Sequence, residues 1–419
     1  MKYIRSLGVV VAVMATSQAA SAQIPAANAA GFSMAGNYTA VARGYDAIAF
    51  NPANLALGEP KQFGFSLFAV NVSNGVNPIT LGDLKAHQNV LIPAATRESW
   101  LQKIGTGRQT GDMAGGVSLL AMNVRSFGLQ VGVVGAGDVN LNQDAAEALL
   151  FGNAGRTGDA KSFNFGGSKA NGSLFGVGAV SYGVPLRRND RGEQLTFGVT
   201  AKYIRGFAAA RAADHGSATT PDAINIEFPV LYTDSNHVGN AGSGFGVDLG
   251  LSWAKSGTTY SVTARNVVNS FAWSPDAFTS RAGGFTFDGV NNTSTFDEAP
   301  YATAPAAMRT ALEAERFRPE LAAGVARHFG NLLMSVDGSQ RFGDGITLSP
   351  KMRAGMGAEY TGISVLALRG GVAAITDGFQ GAAGVGLRVG TYELSVGAMT
   401  RSTNGQGQTG FMLNVMSLR

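Results

Sequence analysis

The sequence predicts an all-β fold, a transmembrane antiparallel β-barrel of about 14 strands. Three observations lead to this prediction. Apolar residues alternate with small or polar residues in segments of about ten residues, short polar connections alternate with long ones, and aromatic residues gather beside the short connections. A strand that faces lipid on one side and a lumen on the other produces this alternation, because successive side chains point to opposite faces.

The composition excludes several other classes of protein. The chain has 419 residues, of which 45% are hydrophobic and 14% charged, with 58 Gly and no Cys. This much apolar material excludes a disordered chain, and the glycines lack the Gly-x-y period of collagen. After residue 22, no uninterrupted run of about 18 apolar residues suggests a membrane-spanning helix. The formal charge of +4 is too small for a basic footprint, so nucleic acid is not an expected partner.

Residues 1–22 are predicted to be a signal peptide. Lys2 and Arg5 precede an apolar stretch from Leu7 to Met14, and Ala20-Ser21-Ala22 supplies a small-residue cleavage site before Gln23. A short membrane anchor is the alternative, but the stretch is shorter than the roughly 20 residues that a spanning helix needs. We therefore expect the mature chain to begin at Gln23 and to be exported past the inner membrane.

The clearest predicted strand extends from Gly244 to Trp253. Its apolar face carries Phe245, Val247, Leu249, Leu251 and Trp253, and its other face carries Gly244, Gly246, Asp248, Gly250 and Ser252. A helix, with its period of about 3.6 residues, could not separate the two sets in this way. The same alternation predicts strands over residues 195–203, 352–360 and 392–398.

The connections between the strands predict the topology. Short polar connections are expected at 125–126, 187–193, 255–258, 330–331, 361–362 and 390–391, and long ones at 73–112, 140–171, 210–241 and 269–317. Together they leave about fourteen strands, an even number, as in bacterial outer-membrane barrels with short periplasmic turns and long extracellular loops. Both termini would then face the periplasm.

Two sets of side chains test this topology. Aromatic residues on the apolar face beside short turns are predicted to form a membrane-interface girdle of Phe127, Trp253, Tyr260, Tyr360 and Tyr392. A soluble β-sandwich, the alternative fold, gives no reason for aromatic residues to prefer those ends. Charged residues on the opposite face are predicted to line the lumen: Lys202, Asp248, Arg265, Asp337, Arg353, Arg369, Arg388 and Glu393. Their mixed signs favour ion pairs that brace the wall over a selectivity ring of one sign.

A short motif follows the predicted signal peptide. Asp46-Ala47 and Asn51-Pro52-Ala53-Asn54 form the pattern Asp-Ala-x-x-x-x-Asn-Pro-Ala, downstream of the glycine-containing segment Gly31–Gly36. Pro52 cannot donate a backbone hydrogen bond, and the side chains of Asn51 and Asn54 can bond to nearby backbone groups. A rigid turn is the favoured interpretation, and direct contact with a substrate is the alternative.

This motif resembles the N-terminal signature of the superfamily that contains the FadL-type long-chain fatty-acid transporters and the PorV-like outer-membrane proteins. Gly246–Gly250, Thr263–Val267 and residues 319–401 are similar to repeating elements of PorV-like barrels. Leu81–Leu84, Leu149–Asn153 and Thr200–Gly206 resemble segments of a related uncharacterised outer-membrane family.

The resemblance implies a fourteen-stranded outer-membrane barrel over residues 61–419, with residues 23–60 packed inside or beneath it as a hatch. It implies passage of hydrophobic compounds, as in the FadL-type transporters, or protein secretion and surface attachment, as in the PorV-like proteins. Outer-membrane lipid is an expected partner in either case. A small hydrophobic molecule is a further expected partner in the first case, and a secreted protein is one in the second.

Three segments inside the predicted long loops have helical composition: Ala94–Ile104, Asp144–Phe151 and Pro305–Arg316. They carry apolar residues, among them Trp100, Leu101 and Leu149, that water would solvate poorly. These residues either line a hydrophobic pocket at the outer mouth or serve to cover one another.

The sequence does not predict an enzyme or a cofactor site. His87, His215, His237 and His328 are far apart, and none has a metal-ligand spacing. Gly405, Gly407 and Gly410 fit the pattern Gly-x-Gly-x-x-Gly, but no helix follows them. A Ser-His-acid site assembled in space is the remaining enzymatic alternative.

The leading hypothesis is therefore an outer-membrane barrel that binds and passes small hydrophobic compounds. A scaffold for protein secretion or surface attachment is the second hypothesis. A general diffusion porin is the third, and the glycine-rich inner face together with the hatch argues against it.

Overall fold

The computed structural model describes residues 24–59, 62–152, 156–159, 161–189, 192–220, 223–288, 291–343, 350–404 and 406–418. The predicted signal peptide, with Gln23, lies outside the described residues, as do Pro60 and Lys61 at the predicted boundary between hatch and barrel.

Fourteen antiparallel strands form a closed barrel, as the sequence predicts. In chain order they are β1 Phe63–Asn77, β2 Arg108–Val124, β3 Phe127–Asn142, β4 Lys169–Arg188, β5 Gln194–Ala213, β6 Gly242–Lys255, β7 Thr258–Asn269, β8 Glu320–Phe329, β9 Leu332–Arg341, β10 Met352–Ile363, β11 Leu366–Ile375, β12 Gly378–Val389, β13 Tyr392–Thr403 and β14 Gln406–Leu418. Each strand pairs with its neighbour in the sequence. The barrel closes where β1 pairs with β14, with Phe65 opposite Leu418 and Val72 opposite Phe411.

Alternation along each strand places apolar side chains on the outer surface and polar ones inside. On β6, Phe245 is 64% exposed, whereas Asp248, of the opposite parity, is 4% exposed. Lys202, on the inner face of β5, is 2% exposed. This distribution is the reverse of a water-soluble barrel and is typical of a barrel whose outer wall faces lipid.

Short turns lie together at one end of the barrel, and five of the six predicted short connections join consecutive strands at the expected place. Arg125-Ser126 joins β2 to β3, and Ser256-Gly257 joins β6 to β7, with positive φ values at Arg125, Ser256 and Gly257. The turn predicted at 361–362 is wrong. These two residues belong to β10 and form a β-bulge, so the chain turns only at 364–365.

The segment before β1 contains two short helices, α1 Ala29–Ser33 and α2 Ala47–Phe50, and two turns of 3-10 helix, Gly44–Asp46 and Pro52–Leu55. Asn28 caps α1, because its side chain accepts a hydrogen bond from the backbone N–H of Ala30 at 2.7 Å.

Four long loops extend from the end of the barrel opposite the short turns. The first contains α3 Leu81–Ala86 and α4 Ala94–Ile104, the second α5 Gln143–Phe151, and the fourth α6 Ala306–Glu313 with the 3-10 turns Pro275–Ala277 and Tyr301–Thr303. The third contains the 3-10 turn Ser235–His237. The loops also contain the short strands Phe163–Asn164, Ala218–Thr219, Ile224–Glu227, Val230–Thr233, Ala272–Trp273, Phe278–Arg281, Gly284–Phe287, Asn292–Thr295 and Glu298–Pro300. Five of these pair into a separate small sheet.

Within the part of the chain that the structure describes, no helix combines the length and apolarity needed to cross a membrane.

Candidate functional site

Residues 24–59, here called the lumenal segment, lie inside the barrel. Most of them are buried, and their polar groups bond to strands all around the ring. The partners are Ser66 on β1 with Ala27 O, Gln130 on β3 with Pro25 O, Gln194 on β5 with Gly58 N, Arg265 on β7 with Phe50 O, Ser335 on β9 with Asn37 O, and Ser395 on β13 with Ala29 N. Because these strands surround the lumen, a segment that reaches all of them must occupy it.

The Asn-Pro-Ala-Asn motif is bound to the inner wall through β6 and β7. Asn51 Oδ1 accepts from Ala53 N at 3.1 Å, and Asn51 Nδ2 donates to Ser252 Oγ at 3.0 Å. Ser252 Oγ in turn donates to Asn54 Oδ1 at 2.6 Å, and Asn54 Nδ2 donates to Thr39 O at 2.9 Å. Pro52 is the first residue of the 3-10 turn, where its missing N–H is not needed.

Asp46, the acidic residue of the motif, is buried and lies at the other end of α2. Its Oδ2 accepts hydrogen bonds from Asn28 Nδ2 at 2.5 Å and from Tyr38 OH at 3.5 Å. The side-chain oxygens and nitrogens of Asn51 and Asn54 likewise bond to protein groups. The motif is therefore used to hold the lumenal segment together and against the wall.

Two glycines allow this close approach. A Cβ added at Gly198 on β5 would overlap the Pro52 carbonyl group, and one at Gly250 on β6 would overlap the Asn51 side chain. The backbone of the turn can reach the strands only where side chains are absent from the wall.

All eight charged residues predicted for the lumen face inward. Lys202 pairs with Asp248, Arg265 with Glu320 at 2.6 Å, Arg353 with Asp337 at 4.0 Å, Arg369 with Glu393 at 2.9 Å, and Arg388 with Glu393 at 3.3 Å. Seven of the eight are buried, and Arg388 is half-buried. Residues of opposite charge pair between strands, so the arrangement joins strands to one another and does not form a ring of one sign.

Two of these arginines also hold the lumenal segment. Arg265 Nη2 donates to Phe50 O at 3.1 Å, and Arg353 Nη1 donates to Asn37 Oδ1 at 2.7 Å. The ion pairs are thus part of the contact between wall and segment.

Five aromatic residues form a cluster at the outer mouth, here called the mouth cluster: Phe175, Phe271, Trp273, Phe278 and Phe317. The ring centroids of Phe175 and Phe317 lie 4.9 Å apart, and those of Phe271 and Trp273 lie 5.1 Å apart. Phe175 projects inward from β4, whereas the other four lie in the loop between β7 and β8. All five are buried.

A half-buried carboxylate fixes the last part of this loop to the barrel. The two carboxylate oxygens of Glu315 each lie 2.6 Å from Arg211 Nη2 on β5, and Oε2 accepts from Trp273 Nε1 at 2.6 Å. We call this set of three residues the Glu315 latch. It joins the segment after α6 both to the wall and to the mouth cluster.

The mouth cluster and the lumenal segment belong to one continuous group of buried apolar residues. Phe32, Met34 and Phe50 of the segment are members, as are Val177, Ile204, Met399 and Met412 of the strands. Buried apolar side chains are therefore in continuous contact from the loops to the segment, and we call this set of side chains the apolar path. The mouth cluster was not predicted from the sequence, in which its one local signal is the Phe271-Ala272-Trp273 run inside a loop without periodicity.

Helices are present at all three loop segments that have helical composition. In α4 and α5, Trp100, Ile104 and Ala146 pack together with Ile79, and Trp100 and Leu101 are buried. These helices cover one another, as one of the two interpretations expects, although Leu149 remains 74% exposed.

The five residues predicted for the girdle lie on the outer surface near the short-turn end. Phe127, Trp253, Tyr260, Tyr360 and Tyr392 are each 40% to 50% exposed. Trp253 lies opposite Tyr260 across β6 and β7, and the two rings stack with centroids 5.5 Å apart.

Titratable groups in the outer loops form local ion pairs. Arg281 and Tyr232 donate hydrogen bonds to Glu298, and these bonds lower the pKa of that carboxyl below its usual value. Burial and a hydrogen bond to Glu313 raise the pKa of Tyr301. Among the described residues, no group of three or more His, Asp and Glu side chains could hold a metal ion.

Comparison with solved structures defines the class of this barrel. The toluene transporter TodX of P. putida is 11% identical, with 94% of this chain and 98% of that chain covered and a TM-score of 0.51. The CymD monoaromatic hydrocarbon channel is 11% identical, with 95% and 98% covered and a TM-score of 0.50. The chain therefore has the fold of the FadL-type channels, and identities this low concern the fold alone.

The chain belongs to a family of unknown function, DUF5723, whose model matches residues 52–313. The matched region begins at Pro52 of the motif and ends at the last residue of α6, so it includes the first seven barrel strands. No curated protein matches the chain.

Proposed function

We propose that this chain is an outer-membrane transporter that binds small hydrophobic compounds at its outer mouth and passes them along the lumen. The observation that carries the proposal is the continuous apolar path from the mouth cluster to the lumenal segment. A site for small apolar ligands is typically concave and lined mainly by hydrophobic and aromatic side chains. The toluene transporter and the monoaromatic channel, which share the fold, are consistent with such a substrate class.

The proposal includes a location in the outer membrane. The apolar outer wall would face lipid, and Phe127, Trp253, Tyr260, Tyr360 and Tyr392 would form the girdle at the periplasmic interface. Aromatic side chains favour this depth because their rings are apolar and their polar groups reach water. The opposite charges and the lumenal segment inside the barrel argue against a wide, water-filled pore.

Uptake by intact cells tests the transport proposal. A deletion strain should take up radiolabelled toluene more slowly than the same strain supplied with the gene, because the lipopolysaccharide leaflet slows apolar compounds. Liposomes that contain the purified protein should not swell in sugar solutions. Equal toluene uptake by the two strains, or swelling at the rate of a porin, would contradict the proposal.

A scaffold for protein secretion or surface attachment is the second candidate, and exposed apolar residues in the first long loop favour it. Leu81, Leu84 and Val90 are between 42% and 59% exposed, and Leu91 is 91% exposed. Such residues at the outer end of the barrel would suit a protein partner. A deletion strain that loses surface proteins but takes up toluene normally would support the scaffold and refute the transporter.

A further inference from the structure

Two neighbouring polar side chains on the inner face of β1 are buried without hydrogen-bond partners. Asn71 is 1% exposed, and neither its Nδ2 nor its Oδ1 has a partner; the same is true of Ser73 Oγ. Nearly all buried polar groups in proteins are paired, because an unpaired one destabilises the fold. Three such atoms on two inward-facing residues of one strand indicate a partner that the protein itself does not supply.

The strand register defines what surrounds the two side chains. Asn71 lies opposite Met412 on β14 and Gly116 on β2, and Ser73 lies opposite Gly410 and Ala114. Met399 is also opposite Gly410 and therefore close to Ser73 in the same row. None of these directly opposite residues is charged. The nearest charged residues in the register, Asp112 opposite Gly75 and Arg401 opposite Gln408, lie one inward row farther toward the outer end.

The lumenal segment forms the floor beneath them. A Cβ added at Gly116 would contact Pro25, and one at Gly397, opposite Met412, would contact Phe32. Asn71 therefore lies between two places where the lumenal segment touches the wall. It is on the side of the segment that faces the outer mouth.

The inner wall beside Ser73 is partly exposed. Ala114 on β2 lies opposite Ser73 on one side and Ala136 of β3 on the other. Ala114 and Ala136 are only half-buried although they face inward. They also border the continuous apolar group that begins at the mouth cluster. A molecule that follows the apolar path would thus reach Asn71 and Ser73 before it meets the floor.

We infer that Asn71 and Ser73 bind the polar group of a small uncharged compound whose body is apolar and which carries one hydroxyl or carbonyl group. An amide and a hydroxyl supply both donors and acceptors, which match a phenol or alcohol. The absence of charge in the directly opposite positions suits a neutral group, and Met399 and Met412 supply adaptable apolar contact. This inference rests on the proposed function and narrows its substrate class.

Binding of p-cresol and toluene, which differ by one hydroxyl, tests the inference. Equilibrium dialysis of the purified full-length protein in detergent measures the Kd of each compound. We expect Asn71→Leu to weaken p-cresol binding about tenfold and Ser73→Ala to weaken it about threefold, because each removes hydrogen bonds to the hydroxyl. Toluene binding should stay within about twofold of wild type.

Asn74→Leu is the matched control, since Asn74 lies on the same strand with the opposite parity and points out of the lumen. Heat-dependent migration on gels reports whether each variant is folded. If Asn71→Leu does not fold, the Kd of p-cresol for Ser73→Ala tests the inference. Wild-type Kd values for p-cresol in both variants would overturn the inference. If toluene still bound in that case, the proposed function would stand, whereas a wild-type protein that bound neither compound would refute both.

Discussion

Gly198 shows how a single missing side chain lets the lumenal segment reach the barrel wall. The carbonyl group of Pro52 occupies the space that a Cβ would fill at this position. Glycine is required here by the close approach of two backbones, since Gly198 lies within the regular strand β5.

We expect Gly198→Val to displace the Asn-Pro-Ala-Asn turn and to lower the stability of the barrel by about 1–3 kcal/mol, the usual range for overpacking. Thermal unfolding followed by gel migration measures the loss. Gly178→Val is the control, because a Cβ at Gly178 would meet no atom within 4 Å. An unchanged Tm for Gly198→Val, with Gly178→Val also unchanged, would show that the turn does not depend on this contact.

The local sequence predicts the Asn51–Asn54 turn but not its partner. Asn and Pro types in this order favour a rigid turn whatever the rest of the chain does. The hydrogen bond from Ser252 to Asn54, by contrast, joins residues 198 positions apart. Nothing in a single sequence marks such a pair, so the anchoring role of Ser252 became visible only in the fold.

At the scale of the elements, the Glu315 latch holds the loop between β7 and β8 to the barrel wall. Arg211 is buried, so removal of the Glu315 carboxylate would leave its charge without compensation. Because Arg211 and Trp273 both bond to Glu315, the latch should control how often the loop leaves the mouth cluster.

We expect Glu315→Gln to make opening of residues 301–317 easier by about 1–3 kcal/mol, since an amide cannot balance the Arg211 charge. Hydrogen exchange followed by mass spectrometry would then show faster exchange in this loop than in wild type. Glu227→Gln, at an exposed position in another loop, should leave it unchanged. Wild-type exchange in Glu315→Gln would mean that apolar packing alone holds the loop.

The pairing of Glu298–Pro300 with Phe278–Arg281 should depend on pH. Hydrogen bonds from Arg281 and Tyr232 lower the pKa of Glu298. The stabilisation of the strand pairing by ionised Glu298 is therefore complete above the pKa of an unfolded Glu, and it is lost as the pH falls through the lowered pKa. We expect faster hydrogen exchange in residues 298–300 under acidic conditions, after correction for intrinsic rates. Glu298→Gln should abolish this pH dependence. An equal pH dependence in the variant would show that the titration of Glu298 is not its cause.

The sequence was most informative about the strands and least informative about the contacts between loops. A period of two over ten or more residues predicts a strand directly, as at Gly244–Trp253. Gly362 was misleading because a glycine in a strand can form a bulge as well as a turn. The mouth cluster could not be predicted, since Phe271 and Phe317 come from opposite ends of one long loop and contact Phe175 on strand β4.

At the scale of the whole molecule, we propose that hydrophobic compounds travel through the lumen. The alternative for any apolar compound is passage through lipid beside the protein. Bulk placed inside the barrel should block the first route and leave the second unchanged. Ala136 faces the lumen in the row of Ser73 and is half-buried, so a large side chain there would fill the accessible space.

The most direct measurement is therefore radiolabelled toluene uptake by cells that produce Ala136→Trp or its control Val131→Trp, on the lipid-facing side of the same strand. Both variants must reach the outer membrane folded and in equal amounts. We expect Ala136→Trp to reduce uptake to the level of the deletion strain and Val131→Trp to retain the wild-type rate. Wild-type uptake by Ala136→Trp would contradict the lumenal route.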